Sequence, residues 1–273
     1  MSNEVSSLSS FYDSALGQAV CAVYRSLLSS WMEEIFRGQD GGLNLLGLGS
    51  VGPYENVLGH PKVLRKVLLL PDDSRGMIGA PNSFLLGQED AIPLPDESMH
   101  CVVSIHSFEY QSDPQAYVEE IRRVLTRFGT WLALVPRRPG LWHLAGPEPF
   151  KTPYAFTQSE IRDLCRRGHL QPRSLQTCLR FIPTDKLRIR QLSYPFLGSF
   201  AEVFPFLGGA WMLRADRRPS ENSGSSAQPV PQGKIRFRPV ADLTGITQAH
   251  RLKPLVPLDP VSDSGNKRER KRH

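Results

Sequence analysis

The stretch Leu43-Asn44-Leu45-Leu46-Gly47-Leu48-Gly49-Ser50-Val51-Gly52-Pro53-Tyr54 decides the fold. Leu43 to Leu46 form the short apolar run that a central parallel strand needs. Gly47, Gly49 and Gly52 follow in G-x-G-x-x-G spacing. Such glycines permit a tight turn, a close approach of ligand to backbone, and close packing of helix on strand. Pro53 suits the first position of a helix. Strand, glycine turn and helix start in that order mark a nucleotide- or nucleoside-binding unit.

The turn also selects among ligands. It has no Gly-Lys-Ser/Thr, so no lysine to hold a triphosphate. Glu55 sits in the first helical turn, where a carboxylate suits the helix dipole but repels a pyrophosphate. A ligand without phosphate, such as S-adenosylmethionine, fits this turn better than a dinucleotide.

Outward from this stretch, strands and helices alternate. Leu16, Val20, Val23, Leu27, Trp31 and Ile35 recur at helical spacing between Phe11 and Phe36, predicting one amphipathic helix or two ahead of the first strand. Val67 to Leu70 is a second buried strand, ending at Pro71-Asp72-Asp73. Asp72 or Asp73 there is placed to accept from ribose hydroxyls, with a plain solvated turn as the alternative. Ser83 to Leu86 is a third strand, and Cys101 to Ile105 a fourth, ending at His106-Ser107-Phe108-Glu109-Tyr110. Asp113-Pro114 opens a helix whose apolar face is Tyr117, Val118, Ile121, Val124 and Leu125. Phe128-Gly129 turns the chain into a fifth strand, Thr130 to Val135. Thr157 with Glu160 is a capping box. Ser174 to Leu179 and Ala210 to Arg214 read as two closing strands. The pattern predicts an α/β fold with a mostly parallel central sheet and helices on both faces.

With 273 residues, 40% hydrophobic and 22% charged, the chain can bury one sizeable core. No apolar run reaches membrane-spanning length, and no signal peptide opens the sequence, so no membrane span and a cytoplasmic location are expected. Cys21, Cys101, Cys165 and Cys178 are far apart, which predicts free thiols and no zinc site. The net charge of +6 is local. Ten of the 33 Lys and Arg but only four of the 27 Asp and Glu fall in residues 234–273, so the remainder is neutral. A neutral body lacks the field that nucleic acid demands, so no nucleic-acid partner is expected.

The composition divides the chain into an N-terminal helical segment (1–42), a nucleoside-binding domain (43–218), and a Pro/Ser-rich linker with basic tail (219–273), read as largely disordered. Removing the tail from about Pro219 should leave the melting temperature nearly unchanged. A drop of more than about 5 °C in a thermal melt would mean that Ile235 to Leu258 docks on the body.

Three segments together resemble the class I S-adenosylmethionine-dependent methyltransferases, and among them the ubiquinone-biosynthesis-like (type 11) domain. Gly47-x-Gly49-x-x-Gly52 stands where the family's first motif does. Glu89-Asp90-Ala91-Ile92-Pro93-Leu94-Pro95-Asp96-Glu97-Ser98 is similar to its D-A-x-x-L-P-F segment. Glu119-Glu120-Ile121-Arg122-Arg123-Val124-Leu125 with Gly129 is similar to its E-x-x-R-V-L segment. The resemblance covers about residues 43–136. It implies a Rossmann-like class I methyltransferase fold with S-adenosylmethionine as cofactor. The cofactor-binding residues would be Gly47, Gly49, Gly52, Asp72, and Glu89 or Asp90, one of which holds the adenine amino group.

Methyl transfer from a sulfonium needs alignment more than covalent catalysis. His106, at the end of the fourth strand, is the candidate base. Tyr154 and Phe156 are candidates for an acceptor pocket, with plain packing as the alternative. The Pro- and aromatic-rich segments 137–156 and 181–206 suit a neutral or apolar small-molecule acceptor. The family's usual acid before the glycine turn is absent, since Asn44 and Leu46 stand there, and Leu70-Pro71 replaces the acid that ends the second strand. These departures leave a second reading open, a catalytically silent binding or scaffold protein.

Overall fold

The computed structural model describes residues 10–70, 83–147, 150, 155–186 and 208–217. Asp72, Tyr154, most of 181–206 and the whole of 219–273 lie outside the described residues, so the readings made on them stay as stated.

The first long helix, α1 (Ala15–Phe36), starts at Ser14, whose Oγ accepts from the Gly17 N–H at 2.9 Å. Its buried stripe is Leu16, Val20, Tyr24, Leu28, Trp31, Met32 and Phe36. Val23, Leu27 and Ile35, expected on that stripe, are only partly buried. The reason is Tyr24, a polar-tipped ring that takes the inward position and rotates the stripe.

The chain then runs through β1 (Leu43–Gly49), a single 3₁₀ turn (Gly52–Tyr54), α2 (Glu55–Leu58), β2 (Val63–Leu70), β3 (Ser83–Leu86) and β4 (Met99–Ile105). A second 3₁₀ turn (Phe108–Tyr110) precedes α3 (Pro114–Val124), which Asp113 caps by accepting from the N–H groups of Gln115 and Ala116. Next come β5 (Leu125–Pro136), a short α4 (Leu141–Ala145), α5 (Gln158–Arg167), β6 (Leu170–Cys178) and β7 (Ala210–Arg217). Both halves of the predicted capping box form: Thr157 Oγ1 accepts from the Glu160 N–H, and Glu160 accepts from the Thr157 N–H.

The sheet has seven strands in the order β3-β2-β1-β4-β5-β7-β6. Neighbours from β3 to β5 are parallel, and β7 runs antiparallel to both β5 and β6. The fifth strand begins five residues earlier than the sequence suggests. Met99 pairs with Leu125 and Cys101 with Thr130, so the irregularity between them absorbs the Phe128-Gly129 segment, and Phe128 is left 83% exposed.

Side chains alternate between two cores. Leu45, Cys101, Val103, Leu132 and Leu134 join α1 on one face. Leu46, Leu48, Val102, Trp131, Ala133 and Val135 join α3 and α5 on the other. The strand order reverses between β1 and β4, the switch point at which open α/β sheets bind ligands. There Gly49 pairs with Ile105, so the glycine turn and the segment after β4 leave the sheet side by side.

Candidate functional site

The three glycines have three different surroundings. A Cβ on Gly47 would lie 2.7 Å from Leu68 Cδ2, so this glycine serves the packing of β1 on its neighbour. Gly49 has φ +71°, and a Cβ there would collide with the Ile105 carbonyl oxygen and lie 2.7 Å from Ser107 Cβ. Around Gly52 a Cβ would meet nothing within 4 Å. The open face of the turn is therefore at Gly52, while Gly49 is closed by the protein itself.

Glu89 ties this turn to the segment after β4. Its Oε1 accepts from the Gly49 N–H at 2.8 Å, and its Oε2 accepts from Ser107 Oγ at 2.6 Å and Gln111 Nε2 at 2.7 Å. With its hydroxyl hydrogen committed to Glu89, Ser107 Oγ accepts from the Tyr117 hydroxyl at 2.6 Å. Both Glu89 oxygens are thus engaged by the protein, whereas Asp90 is exposed. Of the two acids expected to reach an adenine, Asp90 has the free approach.

Burial pushes the Glu89 carboxyl above its ordinary range, against the opposing pull of the Ser107, Gly49 and Gln111 donors. A carboxyl raised by folding contributes stability that is full below the unfolded value of about 4.3 and is lost as pH rises through the folded value. Glu89→Gln should flatten that decline in urea titrations across pH 4 to 8. An unchanged decline would assign it to another group.

His106 leaves β4 at φ +48° and is buried. Its ring Nδ1 lies 2.8 Å from Glu109 Oε1, and Glu109 is also buried, in the 3₁₀ turn three residues on. A carboxylate only accepts, so Nδ1–H is the donor in this pair, and in the neutral ring Nε2 carries the lone pair. Among the described residues, His106 Nε2 and Glu109 Oε2 have no hydrogen-bond partner.

Aromatic rings close around this pair. Tyr24, Tyr12 and Phe150 have ring centroids 6.0, 6.4 and 5.4 Å from that of His106. Tyr54, which ends the glycine turn, meets Tyr12 at 6.0 Å and Tyr24 at 6.1 Å. Among the described residues the buried Tyr24 hydroxyl also has no hydrogen-bond partner. The Tyr12 and Tyr54 hydroxyls lie within reach of each other. Burial raises all three phenols above their ordinary value, so they stay protonated.

Three such atoms in one buried cluster, His106 Nε2, Glu109 Oε2 and the Tyr24 hydroxyl, depart from the norm among the described residues, because each costs about 1–3 kcal/mol when left unsatisfied. Sequence reasoning found His106 but missed Tyr12, Tyr24 and Tyr54. It placed Glu109 at the same strand end as a second candidate, with a helix start as the alternative.

Other candidates resolve into packing. Phe156 stacks on Phe108 with centroids 4.4 Å apart. Trp131, Trp142 and Trp211 are core residues whose indole N–H groups donate to Ser104 Oγ, the Phe181 carbonyl and the Phe156 carbonyl. All four cysteines are buried and free, and burial pushes the thiols of Cys101, Cys165 and Cys178 up to about 12. Among the described residues there is no group of three metal-ligating side chains, and no helix is long and apolar enough to cross a membrane. A cavity of about 500 Å³ opens beside the N-terminus of α1, away from the glycine turn.

A family model described as a methyltransferase domain matches residues 71–133. A solved structure of a candidate sarcosine dimethylglycine methyltransferase from Galdieria sulphuraria superposes with a TM-score of 0.52 at 13% identity, covering 71% of this chain and 85% of that one. The chain has the class I methyltransferase fold. A candidate methyltransferase in complex with the Haloferax volcanii Trm112 methyltransferase activator gives a TM-score of 0.49 at 19% identity, covering 70% of this chain and 89% of that one. No curated protein matches this chain in sequence. Within the methyltransferase fold, the matched segment spans the acid loop at Glu89-Asp90, the whole of β4 and the His106–Glu109 pair.

Proposed function

We propose that this chain transfers a methyl group from S-adenosylmethionine to a small-molecule acceptor. The observation that carries the reading is the buried His106–Glu109 pair at the switch point, with Nε2 and Oε2 unpaired. The donor set suits the cofactor. Asp90 is open to an adenine amino group, and Gly52 leaves room against the turn. When bound, S-adenosylmethionine supplies a methyl already activated by its sulfonium. The chain's own residues orient the acceptor, exclude water, and take its proton at His106 Nε2, with Glu109 holding the ring in the receptive tautomer. Asp72 keeps its proposed role toward the ribose.

A cytoplasmic location is the reading that the four free, buried thiols support. The neutral body supports a small molecule over nucleic acid as acceptor.

One observation favours a silent scaffold instead: the Gly49 N–H, the amide at the centre of the turn, is already satisfied by Glu89. Calorimetry with S-adenosylmethionine decides between the two. Binding, followed by transfer of labelled methyl into a small-metabolite extract and not into RNA or DNA, is the expected result. No binding and no label would establish the scaffold, and label in nucleic acid alone would overturn the acceptor class.

A further inference from the structure

We infer that the methyl acceptor is a compact organic amine, admitted through the cavity beside α1 and received by Glu109 and His106. This rests on the methyltransferase reading and names its acceptor class.

Phe11 is the partition between cavity and cluster. It lines the cavity together with Ser10, Ser14, Gly146, Pro183 and Asp185. Its ring also meets Tyr12 at 5.3 Å and Phe150 at 5.9 Å, and both of those rings touch His106. Phe11, with Tyr12 and Phe150 behind it, thus stands between a space of about 500 Å³ and the His106–Glu109 pair.

The chemistry of those atoms selects the occupant. Glu109 Oε2 accepts only, and His106 Nε2 accepts in the tautomer that Glu109 sets. Both call for a ligand that brings hydrogens. An ammonium brings up to three N–H donors and a positive charge, and the faces of Tyr12, Tyr24, Tyr54 and Phe150 favour that charge. The charged groups along the path, Asp185 at the cavity and Glu109 inside, are both carboxylates, and among the described residues no Lys or Arg lines the cavity. An anionic acceptor would face both. The overall charge balance of the body suggests a neutral acceptor, but a balance over 233 residues says nothing of the single carboxylate enclosed here.

The proton account closes at His106. Nε2 takes one proton from the bound ammonium. The nitrogen pair so freed forms the N–C bond while the S–C pair stays on sulfur, and the product leaves as the methylated ammonium.

The test is calorimetry on the full chain with phenethylamine and with 2-phenylethanol, a neutral molecule of the same shape. The amine should bind about tenfold more tightly, and Glu109→Gln should bring the ratio within about twofold. Equal binding of amine and alcohol overturns the inference, as does a preference that survives Glu109→Gln. Should that variant fail to fold, the wild-type comparison and Tyr24→Phe, which removes only a hydroxyl, decide the matter. Competition between S-adenosylmethionine and phenethylamine would put the sulfonium in the cluster and overturn the inference too. A parallel titration with S-adenosylmethionine alone separates the two levels: its failure refutes the methyltransferase reading, whereas its success without an amine preference refutes only the acceptor class.

Discussion

Gly49→Val should destabilise the fold by about 2–5 kcal/mol, the sum of a left-handed conformation forced on a side-chain-bearing residue and of overpacking against β4. Both contributions are visible. Gly49 has φ +71°, and the added Cβ would run into the Ile105 carbonyl and Ser107. For a domain of this size the melting temperature should fall on the order of 10 °C. The glycine spacing alone suggests another result, lost cofactor binding in an intact fold. The position that tests ligand approach is Gly52, where a Cβ meets nothing within 4 Å. Gly52→Ala should melt close to wild type, and any loss of S-adenosylmethionine affinity in that variant reports directly on the ligand. A Gly49→Val protein melting within about 2 °C of wild type would show that β4 can give way, contrary to the close packing at that point.

His106→Asn should lower labelled-methyl transfer by about 10²-fold or more, the scale of a lost general base. Asparagine tolerates the left-handed backbone at this position, so the substitution tests the imidazole and not the turn. The cofactor affinity should stay within about twofold, because His106 is assigned to the acceptor's proton and not to the cofactor. Glu109→Gln should reduce transfer less, since the imidazole remains while its orientation loosens. Transfer at the wild-type rate in His106→Asn would make the histidine a structural residue of the β4 terminus. Equal losses of rate and of cofactor affinity would place its ring against the cofactor instead.

Both predictions show where the sequence and the tertiary structure part company. The run Leu43 to Leu46, the glycine spacing, the Asp113 and Thr157 caps and the strand–helix alternation are local signals, each recorded within about ten residues. They suffice for the α/β class, the place of β1 to β4, the start of α3 and α5, and the position of His106 at a strand end. Periods of 2 and 3.6 residues survive in the sequence because each element buries one face independently of its partners.

Contacts between elements leave no such record. Tyr12 and Tyr24 lie on the N-terminal segment, Tyr54 follows the glycine turn, and Phe150 comes more than a hundred residues later. Only the packing of α1 against β1 and β4 brings them round His106. Read singly, each is an ordinary core aromatic. The role of Glu89 is likewise tertiary: whether it faces a ligand or braces the turn depends on the donors at Gly49, Ser107 and Gln111, which come from two other places in the chain. The sequence by itself determined the α/β class, the place of β1 to β4 and the position of His106 at a strand end. The tertiary structure decided which rim residues are tied up by the protein and which are left unpaired, because hydrogen-bond satisfaction depends on distances across elements and not on spacing along the chain.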